Sequence, residues 1–431
     1  MPDVDRGTFE KFAKSIDPDW IEEALEVSGT ATVRRRRLPA EMVIWLVLGM
    51  ALFRNESMSL IIRTLDLALP GRRGKAVTRG AVAQARARLG DEPMRWLFTK
   101  SAQRWAGESA GRHRWRGLRV YGVDGTTARV PDSPENRAHY GGQRGRDGET
   151  SGYPLVRMAT LMVLRSHLLA GVSFGPYASE LTYAQDLWPL VPDDSLVCVD
   201  RGFFAASILL PLHAQARNRH WLTRAKKSNV WRVIKTLGRG DELVEMDVSS
   251  QARRKNPELP AIWQMRAVRY QRRGFPPQML LTSLIDAKAF PAKELVALYH
   301  ERWECELGYN EVKTTLLERE EAIRSQTPTG VAQELWGVAL AYNLIRLELE
   351  RTAALLQVPP TRMSFIAGLW SIRNELRIAA YASPGTLPKR IEHLREDLAQ
   401  FVLPPRRPKR TFLRAVKLKM SNYPRKRSVV K

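Results

Sequence analysis

The period of the hydrophobic pattern changes along the chain. Up to about residue 110 the apolar positions recur at helical spacing, in segments opened by capping residues or proline: "DPDWIEEALE" (17–26), "PAEMVIWLVLGMALF" (39–53) and "SMSLIIRTLDLAL" (57–69). "VTRGAVAQARARLG" (77–90) follows, with Thr78 as cap and Gly90 as stop. From about residue 115 strands are expected in "GLRVYGVDGTTARV" (117–130), "LVRMATLMVLR" (155–165) and "HLLAGVSFG" (167–175). Then come a helix in "SELTYAQDLWPLV" (179–191), a buried strand in "SLVCVDRGFF" (195–204), a helix in "FAASILLPLHAQA" (204–216) and a strand in "HWLTRAKK" (220–227). This order predicts an α/β fold, a mixed sheet covered by helices. Between about 228 and 290 the alternation resumes in "LVEMDVS", "IWQMRAVRYQRR" and "QMLLTSL", a β-rich insertion with Arg253, Arg254, Lys255, Arg272 and Arg273 in its loops. Helices return with Pro291 at a first helical position and continue to about 400. The expected organisation is a helical region over 1–112, an α/β core over 113–350 that includes the insertion, and a helical C-terminal region with a basic tail over 351–431.

Composition narrows the partners. The chain has 431 residues, enough for a large core and two or three domains, and a net charge of +24. Such an excess favours a polyanion, because each phosphate neutralised releases condensed counterions. The most apolar run, "MVIWLVLGMALF" (42–53), has 12 residues and is too short to span a bilayer, so no membrane partner is expected and a cytoplasmic location is. The two cysteines, Cys198 and Cys305, exclude a disulfide framework, and with seven scattered histidines they give no zinc signature. "GGQRGRDGETSG" (141–152) is glycine-rich but lacks the Gly-Lys-Ser/Thr of a nucleotide loop, and reads as a mobile loop. The helix after Thr78 would present Arg79, Gln84, Arg86 and Arg88 outward, which suits duplex DNA and equally a solvated basic face. The tail, 404–431, has eleven Lys and Arg and no acid, and is expected to grip phosphates.

Three carboxylates stand where chemistry would need them. Asp124 is expected to end the first strand of the α/β unit, just before Gly125, and Asp200 to end a later one, close to Gly202. Glu306 lies in "YHERWECELGYNEVK" (299–313). At about 100° per residue, Tyr299, Arg302, Glu306 and Lys313 of that segment fall within a wedge of roughly 60°. Singly each acid has a bland explanation, as a turn former or a solvated side chain. Together, two acids at one sheet edge and one from a packed helix can hold two Mg²⁺ ions about 3.5–4 Å apart for phosphoryl transfer.

These blocks resemble the DDE transposases of the insertion-sequence-four type, whose core is ribonuclease-H-like. Their Tyr-x2-Arg-x3-Glu-x6-Lys signature matches 299–313 at every spacing, and "VDGTTARVPDSPENRAHYG" and "VDRGFF" resemble the two aspartate blocks. The 105 residues between Asp200 and Glu306 fit the family's β-strand insertion. The resemblance implies that Asp124, Asp200 and Glu306 are catalytic and bind Mg²⁺, with Mn²⁺ as a substitute. It implies that Tyr299, Arg302 and Lys313 position DNA, that Arg201 and Lys226 reach phosphates, and that an aromatic receives a flipped base. Trp303 and Trp263 are the candidates, with a core tryptophan as the competing reading for each. Implied partners are the double-stranded DNA of terminal inverted repeats and target, engaged by a dimer assembled on the ends, in the nucleoid of a bacterial cytoplasm. A metal-dependent nuclease and a catalytically silent DNA-binding protein on the same fold are the alternatives.

Overall fold

The structure, a computed structural model, describes residues 16–31, 38–65, 67, 77–141, 143–144, 150–214, 217–272, 275–317, 323–379 and 387–405. Arg273, residues 142 and 145–149 of the glycine-rich loop, and the tail from 406 lie outside them. Five helices open the chain: α1 (Pro18–Val27), α2 (Ala40–Leu52), α3 (Met58–Thr64), α4 (Arg79–Leu89) and α5 (Glu92–Arg112). Their starts follow the capping rule: the side chains of Asp17, Ser57 and Thr78 accept from the first-turn amides of Asp19, Leu60 and Ala81. Gly90 stops α4 with φ +66°, a conformation open to glycine. Helix α2 is apolar all round and is accordingly buried nearly all round, against the long helix α12 (Pro328–Leu355), which also carries α5.

Among the described residues nine strands form one sheet in the order β3-β2-β1-β4-β5-β9-β8-β7-β6. These are β1 (Arg119–Arg129), β2 (Leu155–Val163), β3 (Leu169–Gly175), β4 (Ser195–Val199), β5 (Arg219–Arg224), β6 (Arg232–Gly238), β7 (Asp241–Asp247), β8 (Ile262–Tyr270) and β9 (Gln278–Thr282). The first five form the mixed unit expected of the α/β core: β3, β2 and β1 run antiparallel as a meander, and β4 and β5 join parallel to β1. The insertion does not form a separate sheet. Its β9 pairs antiparallel with β5, Leu222–Arg224 against Leu280–Thr282, and β8, β7 and β6 extend the ladder outward. The pair Arg266 and Asp241, joined by two hydrogen bonds of 2.7 and 2.6 Å, is buried within it. Strand β6 escapes the sequence pattern because Val233 and Ile234 are both exposed on this edge, so no alternation marks it. Helix α6 (Pro134–Tyr140) follows β1, α7 (Glu180–Gln185) and α8 (Ala206–Ala214) connect β3, β4 and β5, α9 (Ser250–Lys255) lies between β7 and β8, and α13 (Phe365–Ala379) and α14 (Leu387–Ala399) follow α12.

Candidate active site

Strand register brings two aspartates together. β1 and β4 run parallel with Val123 beside Val199, so the next residue on each is an acid, Asp124 and Asp200. Asp124 does not end its strand as expected: β1 continues to Arg129, because its antiparallel partner β2 runs on past the point where β4 stops. Asp200 does follow the last residue of β4, and its carboxylate caps the short turn Arg201–Phe203 by accepting from the Gly202 amide.

The segment that delivers Glu306 is not one uniform helix. Helix α10 (Ala292–Tyr299) tightens into a 3₁₀ turn over His300–Arg302, returns to α geometry as α11 (Trp303–Asn310), and widens into a π turn over Glu311–Leu316. A π turn winds less per residue, so it carries Lys313 round from where a uniform wheel would place it. Close approach to the sheet depends on glycines. A Cβ on Gly122 of β1 would overlap Cys305 and Leu164, and one on Gly308 would overlap Met162. Tyr309 then donates to the Asp124 carbonyl at 2.5 Å and shares a 2.8 Å hydrogen bond with Thr160.

Arg302 spans the acids: one guanidinium nitrogen lies 3.5 Å from Asp124 Oδ2 and the other 3.1 Å from Glu306 Oε1. Burial pushes the Asp124 carboxyl up to about 6, with the charges of Asp200 and Glu180 adding to the effect. The Gly125 amide and Arg302 pull it back only in part. Asp200, Arg201, Tyr299, Arg302, Trp303 and Glu306 line one open cavity of about 450 Å³. Among the described residues no three His, Cys, Asp or Glu groups are already closed around an ion position. The donors are nonetheless of the right kind, since carboxylate oxygens are the ligands that hard divalent cations prefer.

Most other expected residues do not line this cavity. Lys313 sits half-buried on the π turn and Lys226 half-buried beyond the end of β5, while Arg79 and Gln84 are exposed on α4. Arg86 turns inward, against the expectation of an outward basic row. It donates to Gln333 at 2.7 Å and to Ser325 at 2.9 Å, and lies 3.7 Å from the buried Glu334. Trp263 is a core residue, 6% exposed, with Phe204 stacked 5.1 Å away and Trp221 at 5.2 Å. Trp303 is 40% exposed and borders the cavity. The sequence reading missed Arg224, Tyr270 and Phe275 in the cavity wall, and Tyr309 beside Asp124. Tyr309 was findable, one helical turn beyond Glu306. Arg224 was not, because it shares its strand face with the buried Leu222 and carries no pattern of its own.

Residues 6–99 match the model of the insertion element 4 transposase N-terminal family, and residues 115–344 match that of the transposase DDE domain. The chain is 40% identical over 411 residues to the transposase InsG for insertion sequence element IS4 of Escherichia coli (strain K12), covering 95% of this chain and 92% of that protein. It is 38% identical over 219 residues to the putative transposase InsZ of the same organism, covering 50% of this chain and 72% of that one. A solved structure, the piggyBac transposase synaptic complex with hairpin DNA, aligns with 94% of this chain and 88% of its own at 13% identity and a TM-score of 0.44, too slight a likeness to add to the assignment. The chain belongs to the DDE transposases of the insertion-sequence-four type, enzymes that cleave DNA and transfer its strands with the help of a divalent metal.

Proposed function

We propose that Asp124, Asp200 and Glu306 hold Mg²⁺, with Mn²⁺ able to replace it, and that the site cuts an element at its terminal inverted repeats and joins the freed ends to target DNA. The observation that carries this reading is that strand register sets Asp124 beside Asp200, Arg302 bridges Asp124 to Glu306, and Asp200, Arg302 and Glu306 line one cationic cavity. When bound, the metal would activate the attacking water or 3′-hydroxyl and stabilise the leaving oxygen. The chain's own residues do the rest. Arg201, Arg224 and Arg302 set cations where phosphates would lie, and Tyr299 borders the same space. Exposed Trp303 offers a ring to an unstacked base. Lys226 and Lys313 stand further along the phosphate path, and Arg79 and Gln84 of α4 face the duplex as part of an end-binding region over 1–112. The core over 113–350 performs the chemistry, and the region over 351–431 adds basic charge. Two ends must be held at once, so a dimer assembled on the DNA of the bacterial chromosome is the working form.

The test uses a duplex carrying the inverted repeats that bracket the gene, with Mg²⁺ and a target plasmid. Wild-type protein should cut at the repeat boundary and join the ends. Asp124→Asn, Asp200→Asn and Glu306→Gln should each bind the duplex normally and cleave slower by about a thousandfold or more. Cutting without joining would make the protein a nuclease, and binding without cutting by the wild type would make it a silent DNA-binding protein.

A further inference from the structure

The signature segment has a second face. Glu301, Glu304 and Glu311 turn away from the cavity, and each meets a basic group from another part of the chain. Glu301 takes two hydrogen bonds from Arg165, at 2.8 and 2.9 Å. Glu304 lies 2.8 Å from His167 Nε2. Glu311 is gripped by Nε and Nη2 of Arg346, from α12, and accepts from the Tyr342 hydroxyl at 2.8 Å. Arg165 and His167 belong to the turn between β2 and β3, where His167 is held at φ +66°, a left-handed conformation uncommon for a non-glycine residue.

The partners fix one another. Arg346 Nη2 is 2.7 Å from His167 Nδ1. The ring thus sits between two acids, Nδ1 also 3.3 Å from Glu311 Oε2 and Nε2 facing Glu304. The result is a continuous chain of bonds from Glu311 through Arg346 and His167 to Glu304, with Glu301 and Arg165 beside it. Packing alone would not index the segment so well. It meets the sheet through Gly122, Cys305 and Gly308, small residues that permit close approach and offer little to stop rotation.

We propose that this row of acids and its three basic partners is an indexing cradle. It sets the rotation and advance of the segment so that Arg302 and Glu306 face Asp124 and Asp200. Arg165, His167 and Arg346 are thus positioning residues for cleavage, and the inference rests on the reading of the three acids as the cleavage centre. Buried ion pairs add little to stability relative to apolar packing, so an effect on geometry beyond stability is what sets this role apart.

Glu301→Gln, His167→Gln and His167→Leu should be compared with wild type and Asp124→Asn. The readouts are melting temperature, affinity for end duplex, Mn²⁺ bound by electron paramagnetic resonance, and cleavage at saturating DNA and metal. Glu301→Gln alters a half-exposed pair and should melt within about 3 °C of wild type. It should bind end duplex normally, bind Mn²⁺ several-fold more weakly and cleave several-fold slower. His167→Leu should cleave slower by about tenfold to a hundredfold, the scale of a displacement near 1 Å. His167→Gln, which keeps a donor for Glu304, should recover part of the loss. Wild-type Mn²⁺ binding and cleavage in both Glu301→Gln and His167→Gln would overturn the proposal, and those two carry the test if His167→Leu does not fold. A wild type that cleaves no better than Asp124→Asn would instead overturn the reading of the acids, and this inference with it.

Discussion

A carboxyl group buried beside other acids, with one arginine to relieve it, keeps its proton to a higher pH than it would in water. Asp124 is that group, pushed up to about 6 chiefly by burial. The folded pKa is raised, so the fold favours the protonated form. Below the unfolded value near 3.8 the acid is neutral in both states and has no effect on stability. The penalty grows from there to about pH 6 and is complete above it. In the metal-free protein, Asp124→Asn should therefore be more stable than wild type at pH 8, by at most about 3 kcal/mol, with the gain vanishing near pH 4. Urea unfolding at pH 8, 6 and 4 measures this; a loss of stability at pH 8 would contradict the assigned environment. The same residue scale shows what a sequence hides. Arg302 and Arg86 were both expected to face DNA, and only Arg302 borders the cavity. Arg86 is claimed by Gln333 and Glu334, which come from more than 240 positions away, and no local pattern announces them.

At the scale of elements, the sequence is most legible where one short-range rule suffices. Caps and stops locate α1, α3 and α4, and β-branched runs locate the core strands. It is least legible where tertiary contacts reshape the backbone, as in the change from 3₁₀ to α to π geometry between His300 and Leu316. A wheel of uniform pitch placed Glu306 correctly relative to Arg302 because the two lie within about one turn of each other. Its pitch does not carry over to Lys313, which lies within the π turn. The packing of α11 on β1 yields a test. Gly122→Ala would press a methyl group into Cys305 and Leu164, costing about 1–3 kcal/mol by overpacking. It should displace Glu306 and slow cleavage by more than the stability loss alone explains. Removing the opposing sulfur in the double variant Gly122→Ala/Cys305→Ala should restore most of both. Unfolding curves and cleavage rates for wild type and the two variants decide it, and equal defects in single and double variants would move the cause elsewhere.

For the whole molecule, the sheet and the charge set how DNA is met. The mixed sheet was legible as a class, but its continuity into the insertion was not, since pairing between β5 and β9 depends on residues about 60 positions apart. The net charge of +24 makes DNA affinity steeply salt-dependent. Ending the chain at residue 405 removes eleven cations and no acid. The slope of log affinity against log salt should then flatten by about 0.9 for each phosphate that the tail no longer neutralises, and an unchanged slope would show that the tail stays off the duplex.

The inward turn of Arg86 acquires a meaning at this scale. With Arg54 also bonded to Glu334, the clamp ties α4 and the helices around it to α12, and so to the body that carries the acids. On the proposed reading, α4 and the cavity touch the same DNA at two places, and the span between them belongs to the protein. One base pair added between the recognised repeat and the cut would shift the scissile phosphate by about 3.4 Å and turn it by about 35°. A hinged pair of domains would absorb that change. On that reading the chain is built as a ruler, and the position of the cut is a length written into its fold.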